Sequence, residues 1–441
     1  MTWREAVAGK LMSADEAVSV VVSGQRVSVA ASNGTPFALC KALYRRRSEL
    51  VGVRIDHPGG LFAWVRPGEP SPFLVHDAFG TAANREMVNQ GRVEYLPTAR
   101  WRCDEFPAGL LEETDVFLVS VSPPDDEGLC SFGAGVWFSP RVAARATIVV
   151  GEIHEEFIRT GGDNHLALSR IDRLCEAVPR PTPLAARSGR AQRRGHGEKA
   201  VVDAIGALVA ELVHDRDTLQ IGTGTIASRM AEYLGDKHDL GIQTELITHG
   251  MATLVRDGVA NGRYKTLHEG KAVACACEPL SEEELAIIDG NPAFEFYDFG
   301  YTDDLRMLVQ QDRLVAINNA LLVDLTGQVT AETIGPRVWS GPGGQTAFMT
   351  AAQYSRGGRS IVVVPSARGA DQRRVSRIVA TLPEGTVVTV PRTFVDYVVT
   401  EHGTATLRGK SVRERVRELV AVAHPDFRAS LREQARSLYG V

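Results

Sequence analysis

Short apolar runs alternate along the chain with segments whose apolar residues recur at helical spacing. The pattern predicts helices over residues 37–49, 200–213 and 225–234. Strands are predicted at 27–31, 50–55, 115–121, 146–153, 218–221, 240–247 and 361–365. Asn33 or Thr35 is the expected cap of the first helix, with Pro36 near its first turn. Strands that alternate with helices favour layered α/β domains with mainly parallel sheets.

The same alternation restarts in the second half of the chain. Residues 178–197 are rich in proline, glycine and arginine and lack helical periodicity, which indicates a connection between domains. We therefore expect two related α/β domains, at 1–195 and 196–441. Two domains suit the length of the chain, 441 residues. The arginines of the connection are predicted to be solvated, and contact with an anionic ligand or RNA is the alternative.

Composition and charge narrow the classes of function. The formal net charge is −5 and 44% of the residues are hydrophobic, which is typical of a soluble globular protein rather than of a nucleic-acid binder. Six cysteines in a chain of this length do not indicate a disulfide framework. The first residues lack the apolar core of a signal peptide, and no run approaches the roughly 18–20 apolar residues of a membrane span. We expect a cytoplasmic protein with no nucleic-acid and no membrane partner.

The first candidate for chemistry is the turn that contains Gly222 and Gly224. A glycine turn between a strand and a helix lets backbone approach a ligand closely. It also directs the N–H groups of the helix N-terminus at negative charge or a polarised carbonyl. Glycine turns after strands are common, so a simple strand-to-helix connection is the alternative interpretation.

The second candidate is Glu245, which lies inside the strand-like run of Ile242, Leu246 and Ile247. A carboxylate near the end of a buried strand is costly unless it is paired or used. Ligands of α/β folds meet the sheet at its strand ends. A functional carboxylate is one interpretation, and a glutamate that pairs with an arginine or caps a helix is the other.

The third candidate is the glycine-dense segment around Gly343, Gly344 and Gln345. Glycines allow several N–H groups to converge on one point, which is the geometry that an oxyanion hole requires. A tight turn is the alternative. The fourth is the polar turn with Glu401 and His402, for which the alternative is a structural ion-pair network.

An aspartate, two histidines and two cysteines are weaker candidates for chemistry. We favour a structural role for Asp396, which precedes the polar turn. His249 is a possible acid–base group, as is His402, but a single histidine is more often structural. Cys275 and Cys277 have no second pair of Cys or His at zinc spacing, so no metal site is expected.

Taken together, several segments occur in a characteristic order. The C-terminal half contains Gly343-Gly-Gln, Ser355-Arg-Gly-Gly-Arg-Ser, Ser376-Arg-Ile-Val, Val398-Val-Thr-Glu-His-Gly-Thr-Ala and Ala423-His-Pro-Asp-Phe-Arg. Before them stand Gly34-Thr-Pro, Ser122-Pro-Pro-Asp-Asp-Glu-Gly, Arg159-Thr-Gly-Gly-Asp and Asn318-Asn-Ala-Leu-Leu-Val-Asp. This series, which covers nearly the whole chain, resembles the acetyl-CoA hydrolase/transferase family, which includes acetate and 4-hydroxybutyrate CoA-transferases.

The resemblance implies roles for particular residues. Gly241-Ile-Gln-Thr-Glu-Leu is similar to the family's nucleophile motif, which makes Glu245 the implied nucleophile, and Gly344 the implied oxyanion glycine. Gly222 or Gly224 is a further candidate donor. Substrate or CoA binding is expected at Gly222, Gly224, Gly343, Gln345, His249, Asn318, Arg377 and His402. Arg408 and Lys410 are additional candidates for the CoA phosphates.

The implied activity is transfer of CoA from an acyl-CoA to a free carboxylic acid. It proceeds through an acyl-glutamyl anhydride and a glutamyl-CoA thioester, and it requires no metal and no tightly bound cofactor. The resemblance also implies a CoA-transferase fold with the active site at the domain interface, and a homodimer or larger homo-oligomer.

Three residues depart from the family's usual motifs, and two of them are histidines. His249 follows Thr248 where Ser-Asp-Gly is common, Ala347 replaces an aspartate, and His402 replaces a tyrosine. We hypothesise that the acyl pocket accepts a less typical acid, larger or functionalised. Hydrolysis of the same intermediate, acyl transfer to an amine or alcohol, and a catalytically silent CoA-binding protein are the alternatives.

Overall fold

A computed structural model describes residues 2–97, 114–178, 196–224, 226–369 and 373–441. The described residues form two compact units. Those of the first unit fall within Met1–Leu184, Val273–Cys277 and Leu285–Thr302, and those of the second within Ala185–Ala272, Glu278–Glu284 and Asp303–Val441. Most of the proposed connection, residues 179–195, lies outside the described residues. The domain boundary at 195/196 therefore stays a prediction.

The described part of the first unit contains a parallel sheet of seven strands. Its order across the sheet is Arg173–Glu176, Ile148–Ile153, Val116–Val121, Arg26–Val29, Arg54–Asp56, Leu74–Asp77 and Glu94–Tyr95. Each neighbouring pair is parallel. The strand Val116–Val121, third in this order, is buried along its whole length, which explains its continuous apolar sequence.

Helices cover the first unit's sheet, and one of them corrects a predicted cap. The helix Phe37–Arg45 begins after Pro36, and neither Asn33 nor Thr35 caps it. Instead, the buried Glu152 accepts hydrogen bonds from the N–H groups of Ala38 and Leu39, at 2.7 and 3.2 Å. A carboxylate from a distant strand thus replaces the local cap, which sequence alone does not show.

The described part of the second unit contains six neighbouring strands of a nine-stranded sheet. Their order is Gly403–Thr406, Tyr397–Thr400, Arg359–Val363, Leu314–Asn319, Thr218–Ile221 and Gly241–Gln243, and the first two form an antiparallel hairpin at the edge. The other pairs are parallel. The predicted fold class, α/β with mainly parallel sheets, is confirmed.

The remaining helices range from four to 17 residues in length. The other described α-helices are Trp3–Ala6, Ala14–Ala17, Arg85–Asn89, Ser139–Arg145, His196–Leu212, Met251–Arg256, Glu282–Ile288, Phe299–Thr302, Leu305–Leu308, Gln345–Tyr354, Val412–Val422 and Pro425–Tyr439. The other described strands are Leu129–Cys130, Gly161–Gly162, Leu166–Ala167, Leu246–Ile247, Ala272–Ala274, Ala276–Cys277, Phe294–Phe296, Leu322–Asp324, Val329–Thr330, Thr333–Ile334, Arg337–Val338, Ala367–Arg368, Val375–Ser376 and Ile378–Val379.

Two sequence-based expectations differ from the structure. The helix expected at 225–234 is a 3-10 helix, Ala227–Tyr233, and residue 225 lies outside the described residues. Glu245 does not lie within a strand: the strand Gly241–Gln243 ends before it, and Leu246–Ile247 begins after it. Glu245 therefore lies at a bend between two short strands.

Within the described ranges, no helix combines the length and the apolar character that a bilayer crossing needs. The cytoplasmic location and the homo-oligomeric state stay predictions.

Candidate active site

The carboxyl ends of three neighbouring parallel strands lie together in the second unit. Thr218–Ile221 lies between Gly241–Gln243 and Leu314–Asn319, so the strand order reverses on either side of it. Such a switch point is where open α/β sheets bind ligands. The glycine turn and Glu245 follow two of these strands, and Asn318 and Asn319 are the last residues of the third. Three of the predicted site segments are therefore brought together by the fold.

The contact at the centre of the site joins Glu245 to Gly344. The backbone N–H of Gly344 donates to Oε2 of Glu245 across 2.5 Å. Gly344 is the residue before the helix Gln345–Tyr354, so the positive end of that helix faces the carboxylate. The helix N-terminus favours negative charge on this side chain, both in the resting carboxylate and in any oxyanion formed from it.

Space around Gly344 is restricted by two carboxylates. A Cβ on Gly344 would lie 2.5 Å from Oε2 of Glu245, closer still to Oδ1 of Asp303, and 3.1 Å from the ring of Phe348. A side chain at this position would therefore displace the Glu245 carboxylate or the buried Asp303. Sequence reasoning missed Asp303; its only signal was an acidic pair, Asp303-Asp304, at the end of an aromatic segment.

Asparagines hold the glycine turn. The amide of Asn319 donates to the carbonyl of Thr223 at 2.5 Å and accepts from the N–H of Ala227 at 3.3 Å. Gly224 adopts a φ of 116°, and a Cβ there would meet the Asn319 amide. Asn319 thus holds the Gly224 end of the turn, and the predicted role of Asn318 in substrate binding stays a prediction.

Asn318 and Gln345 also lie at this edge. The buried amides of Asn318 and Gln220 exchange two hydrogen bonds, at 2.7 and 3.1 Å, and a Cβ on Gly222 would meet Asn318 Oδ1. The Gln345 amide donates to the carbonyl of Asn319 at 3.0 Å. Because Gln345 follows Gly344, this bond ties the helix N-terminus to the strand end. Gly343, with a φ of 56°, makes the turn into that helix.

Glu278 is a second carboxylate that sequence reasoning missed. Burial raises its pKa to about 7, although the positive charge of His249 and hydrogen bonds from the N–H of Gly224 and the Ser228 hydroxyl oppose that shift. The backbone of Gly224 therefore lies close to Glu278, and the role suggested for Gly224 as an oxyanion donor stays a prediction. The signal for Glu278 was its place directly after the buried run 272–277.

His249 is held by a carboxylate of its own. Its Nδ1 lies 3.3 Å from Oε2 of Glu284, and this hydrogen bond raises the pKa of His249. Glu284 also accepts the N–H of Gly250 at 3.0 Å and the hydroxyl of Ser281 at 3.0 Å. The imidazole therefore has a structural partner, and its charge reaches the site through its effect on Glu278.

His402 lies in the turn of the edge hairpin, beside Glu401 and 5.5 Å from the ring of His424. Burial is the main cause that lowers the pKa of His402. Glu401 accepts from the N–H and the hydroxyl of Ser366, at 2.9 and 2.6 Å, so these hydrogen bonds hold the turn, and the role of His402 stays a prediction.

Asp396 has the structural role predicted for it. Its Oδ2 accepts from the amide of Gln353 at 2.9 Å and from the N–H of Ser360 at 3.0 Å. The network links the helix Gln345–Tyr354 to two neighbouring strands, and it leaves the residue away from the Glu245–Gly344 contact.

The three basic candidates for CoA phosphates differ in their surroundings. Lys410 is paired with Glu418, and Arg408 lies 3.6 Å from Asp396. Arg377 donates to the carbonyl of Ala320 at 3.3 Å, next to the strand end that carries Asn319. Burial, together with the nearby Arg368, lowers the pKa of Arg377. Of the three, Arg377 is the one that the structure brings to the site.

Comparison with known proteins identifies a family and full-length relatives. Family models match residues 1–185, as the acetyl-CoA hydrolase/transferase N-terminal domain, and residues 281–435, as its C-terminal domain. The 4-hydroxybutyrate coenzyme A transferase of Clostridium kluyveri is 36% identical, with both chains covered completely. The succinyl-CoA:cyclohexane-1-carboxylate CoA transferase of Geobacter metallireducens is 34% identical over 97% of this chain and 95% of the other.

Solved structures agree with the sequence matches. RipA from Yersinia pestis is 28% identical and superposes with a TM-score of 0.86, over 100% of both chains. The sequence-based prediction of an enzyme with CoA-transferase activity is confirmed by these relatives. The chain belongs to the acetyl-CoA hydrolase/transferase family.

Proposed function

We propose that the protein moves CoA between an acyl-CoA and a free carboxylic acid, with Glu245 as the covalent nucleophile. The observation that carries the proposal is the hydrogen bond from the Gly344 N–H to Oε2 of Glu245. It joins a carboxylate to a backbone donor at a strand-end site, which is the pair of groups that acyl exchange on a carboxylate needs.

The first half of the reaction loads CoA onto the enzyme. The Glu245 carboxylate attacks the thioester carbonyl, the C–S bond breaks, and an acyl-glutamyl anhydride and CoA thiolate result. The thiolate then attacks the glutamyl carbonyl of the anhydride. The C–O bond to the donor acyl group breaks, so the donor acid leaves as a carboxylate and Glu245 holds CoA as a thioester.

The second half reverses these steps with a new acid. An acceptor carboxylate attacks the glutamyl thioester and releases CoA thiolate, which gives a second anhydride. The thiolate attacks the acceptor's carbonyl, a new acyl-CoA leaves, and the Glu245 carboxylate is restored. No net proton, electron or water is consumed, so the residues of the chain are sufficient for the cycle.

Gly344 is proposed to act whenever the glutamyl carbon is tetrahedral. Its N–H already lies on a carboxyl oxygen of Glu245, so little reorganisation is needed as charge builds there. One such donor is typically worth about 3–4 kcal/mol of transition-state stabilisation. Substrate binding is proposed at the surrounding turns of Gly222, Gly343 and Gln345, with Arg377 near the CoA phosphates.

Acceptor dependence tests the reaction type. Wild-type enzyme is incubated with an acyl-CoA, with and without a carboxylic acid, and CoA and acyl-CoA are followed by chromatography. Transfer predicts a new acyl-CoA only when the acid is present, and no turnover in Glu245→Gln. Release of free CoA at the same rate without any acid would identify a hydrolase instead. Product on an amine or alcohol would identify an acyltransferase.

A further inference from the structure

A groove outside the active site lies between the helices Val412–Val422 and Pro425–Tyr439. Its volume is about 320 Å³, within the lower range of small-molecule sites. The residues that line it are of two kinds, arginines on the walls and apolar residues on the floor. They are Arg413, Arg417, Arg432 and Arg436 on the walls, with Val416, Val420, Ala421, Ala435 and Val441.

The spacing of the arginines places them in pairs. Arg413 and Arg417 are four residues apart on one helix, and Arg432 and Arg436 are four residues apart on the next. Residues at this spacing share a helix face, and like charges so placed repel each other. Four guanidinium groups therefore surround a floor that includes the buried Val416 and Ala435. An anion bound between these exposed guanidinium groups would relieve the repulsion between them.

Three of the four carboxylates on these two helices have partners other than the groove arginines. Glu418 is paired with Lys410, and Asp426 is paired with Arg374. Glu414 accepts from Ser411 in a capping box, and it also lies near Arg417. The fourth carboxylate on these helices, that of Glu433, is exposed to solvent. Within the described ranges, none of the four groove arginines forms an ion pair with a carboxylate at 4.0 Å or less.

We propose that this groove binds a phosphorylated nucleoside, with its phosphates on the paired arginines and its base on the apolar floor. The guanidinium fork matches phosphate oxygens in a bidentate way, and all four walls carry arginine rather than lysine. A long nucleic acid is disfavoured by the net charge of −5, and a protein partner by the small size of the groove.

Two sources have this chemistry, the nucleotide end of CoA itself and a separate nucleotide. Binding of ADP is measured by titration calorimetry at low salt, first alone and then with saturating CoA. The test variant is Arg417→Gln with Arg432→Gln. The control is Arg145→Gln with Lys199→Gln, which removes the same charge from exposed positions outside the groove. Circular dichroism confirms that each variant is folded.

The expected result is that ADP binds wild type and control equally, and binds the groove variant about tenfold or more weakly. If CoA displaces ADP and also binds the groove variant less tightly, the occupant is the nucleotide end of the substrate. If ADP still binds beside CoA, the groove is a separate site. Equal affinity in all three proteins overturns the proposal, as does groove-dependent binding of an acidic peptide or oligonucleotide without binding of ADP. No turnover is measured, so the outcome is independent of the role proposed for Glu245.

Discussion

The carboxylates of Glu245 and Asp303 lie against the same α-carbon, that of Gly344, with two of their oxygens within about 5 Å of each other. Glu245 also accepts the Gly344 N–H. The position of the proposed nucleophile therefore depends on a residue that has no side chain and on a buried acidic neighbour. This arrangement leads to the first two predictions.

Gly344→Ala is expected to reduce kcat/KM by about 100-fold or more. The expected loss in the free energy of unfolding is smaller than the loss of transition-state stabilisation. The added Cβ would occupy the space of the Glu245 and Asp303 oxygens, so the carboxylate must move off its N–H donor. Steady-state kinetics with an acyl-CoA and an acceptor acid measure the effect. Gly235→Ala is the control, because a Cβ there meets no atom within 4 Å. Equal activity of the two variants would contradict the role of Gly344.

Asp303→Ala is expected to make Gly344→Ala less harmful to stability. Removal of the Asp303 carboxylate leaves room for the new Cβ, so the two substitutions are coupled through shared space. Denaturant unfolding of the wild type, both single variants and the double variant measures the coupling free energy. Additive effects would show that the two residues do not compete for this space.

Glu278→Gln is expected to flatten the pH dependence of stability between about pH 4.5 and 7. Burial raises the pKa of Glu278 to about 7, so the folded state holds a proton that the unfolded state has lost above its ordinary pKa of 4.5. Wild-type stability therefore falls as pH rises through this window, by at most about 3 kcal/mol. Gln keeps acceptors for Gly224 and Ser228 but cannot ionise. Unfolding free energies at several pH values measure the effect, and Glu269→Gln is an exposed control. A wild-type slope retained in Glu278→Gln would contradict the prediction.

Glu284→Gln is expected to lower the pKa of His249. Its hydrogen bond with Glu284 is the main cause that raises this pKa, and the stabilisation is present while His249 is protonated. That contribution is lost as pH rises through the folded-state pKa, so the variant loses more stability in mild acid than at alkaline pH. Proton NMR titration of His249 measures the shift. Glu283→Gln, a neighbouring exposed carboxylate, is the control. An unchanged His249 titration would exclude this pairing.

Much of the fold follows from local pattern. The run 115–121 is apolar because the strand Val116–Val121 is covered on both faces, and the pattern places it within one residue. The expected second helix, 200–213, corresponds to His196–Leu212. The cap of Phe37–Arg45 could not be predicted, because it comes from Glu152, more than a hundred residues away. Long-range contacts of this kind leave no local signal.

The site was predictable where a motif marks it and not elsewhere. The strand-end turn with Gly222 and Gly224 shows in the sequence because glycine is required there. The resemblance, not the spacing, selected Glu245 among many glutamates. Asp303 and Glu278 reach the site only through the fold, and neither has a motif of its own.

The substrate is expected to be larger or more functionalised than acetate. Ala347, where relatives with the usual motif have an aspartate, is buried on the first turn of the helix that faces Glu245. A methyl group in this position is smaller and less polar than a carboxylate. Competition between acetate, butyrate and larger acids for one acyl-CoA measures the preference. Acetate or butyrate used as efficiently as any larger acid would contradict the hypothesis.

The most direct test of the mechanism is intact-protein mass after incubation with a panel of acyl-CoA donors, for wild type and Glu245→Ala. The account predicts an adduct on wild type alone, equal to CoA less one water, that maps to the peptide with Glu245. Absence of an adduct with every donor, while Glu245→Ala still releases CoA at the wild-type rate, would contradict it and direct attention to His249 and His402.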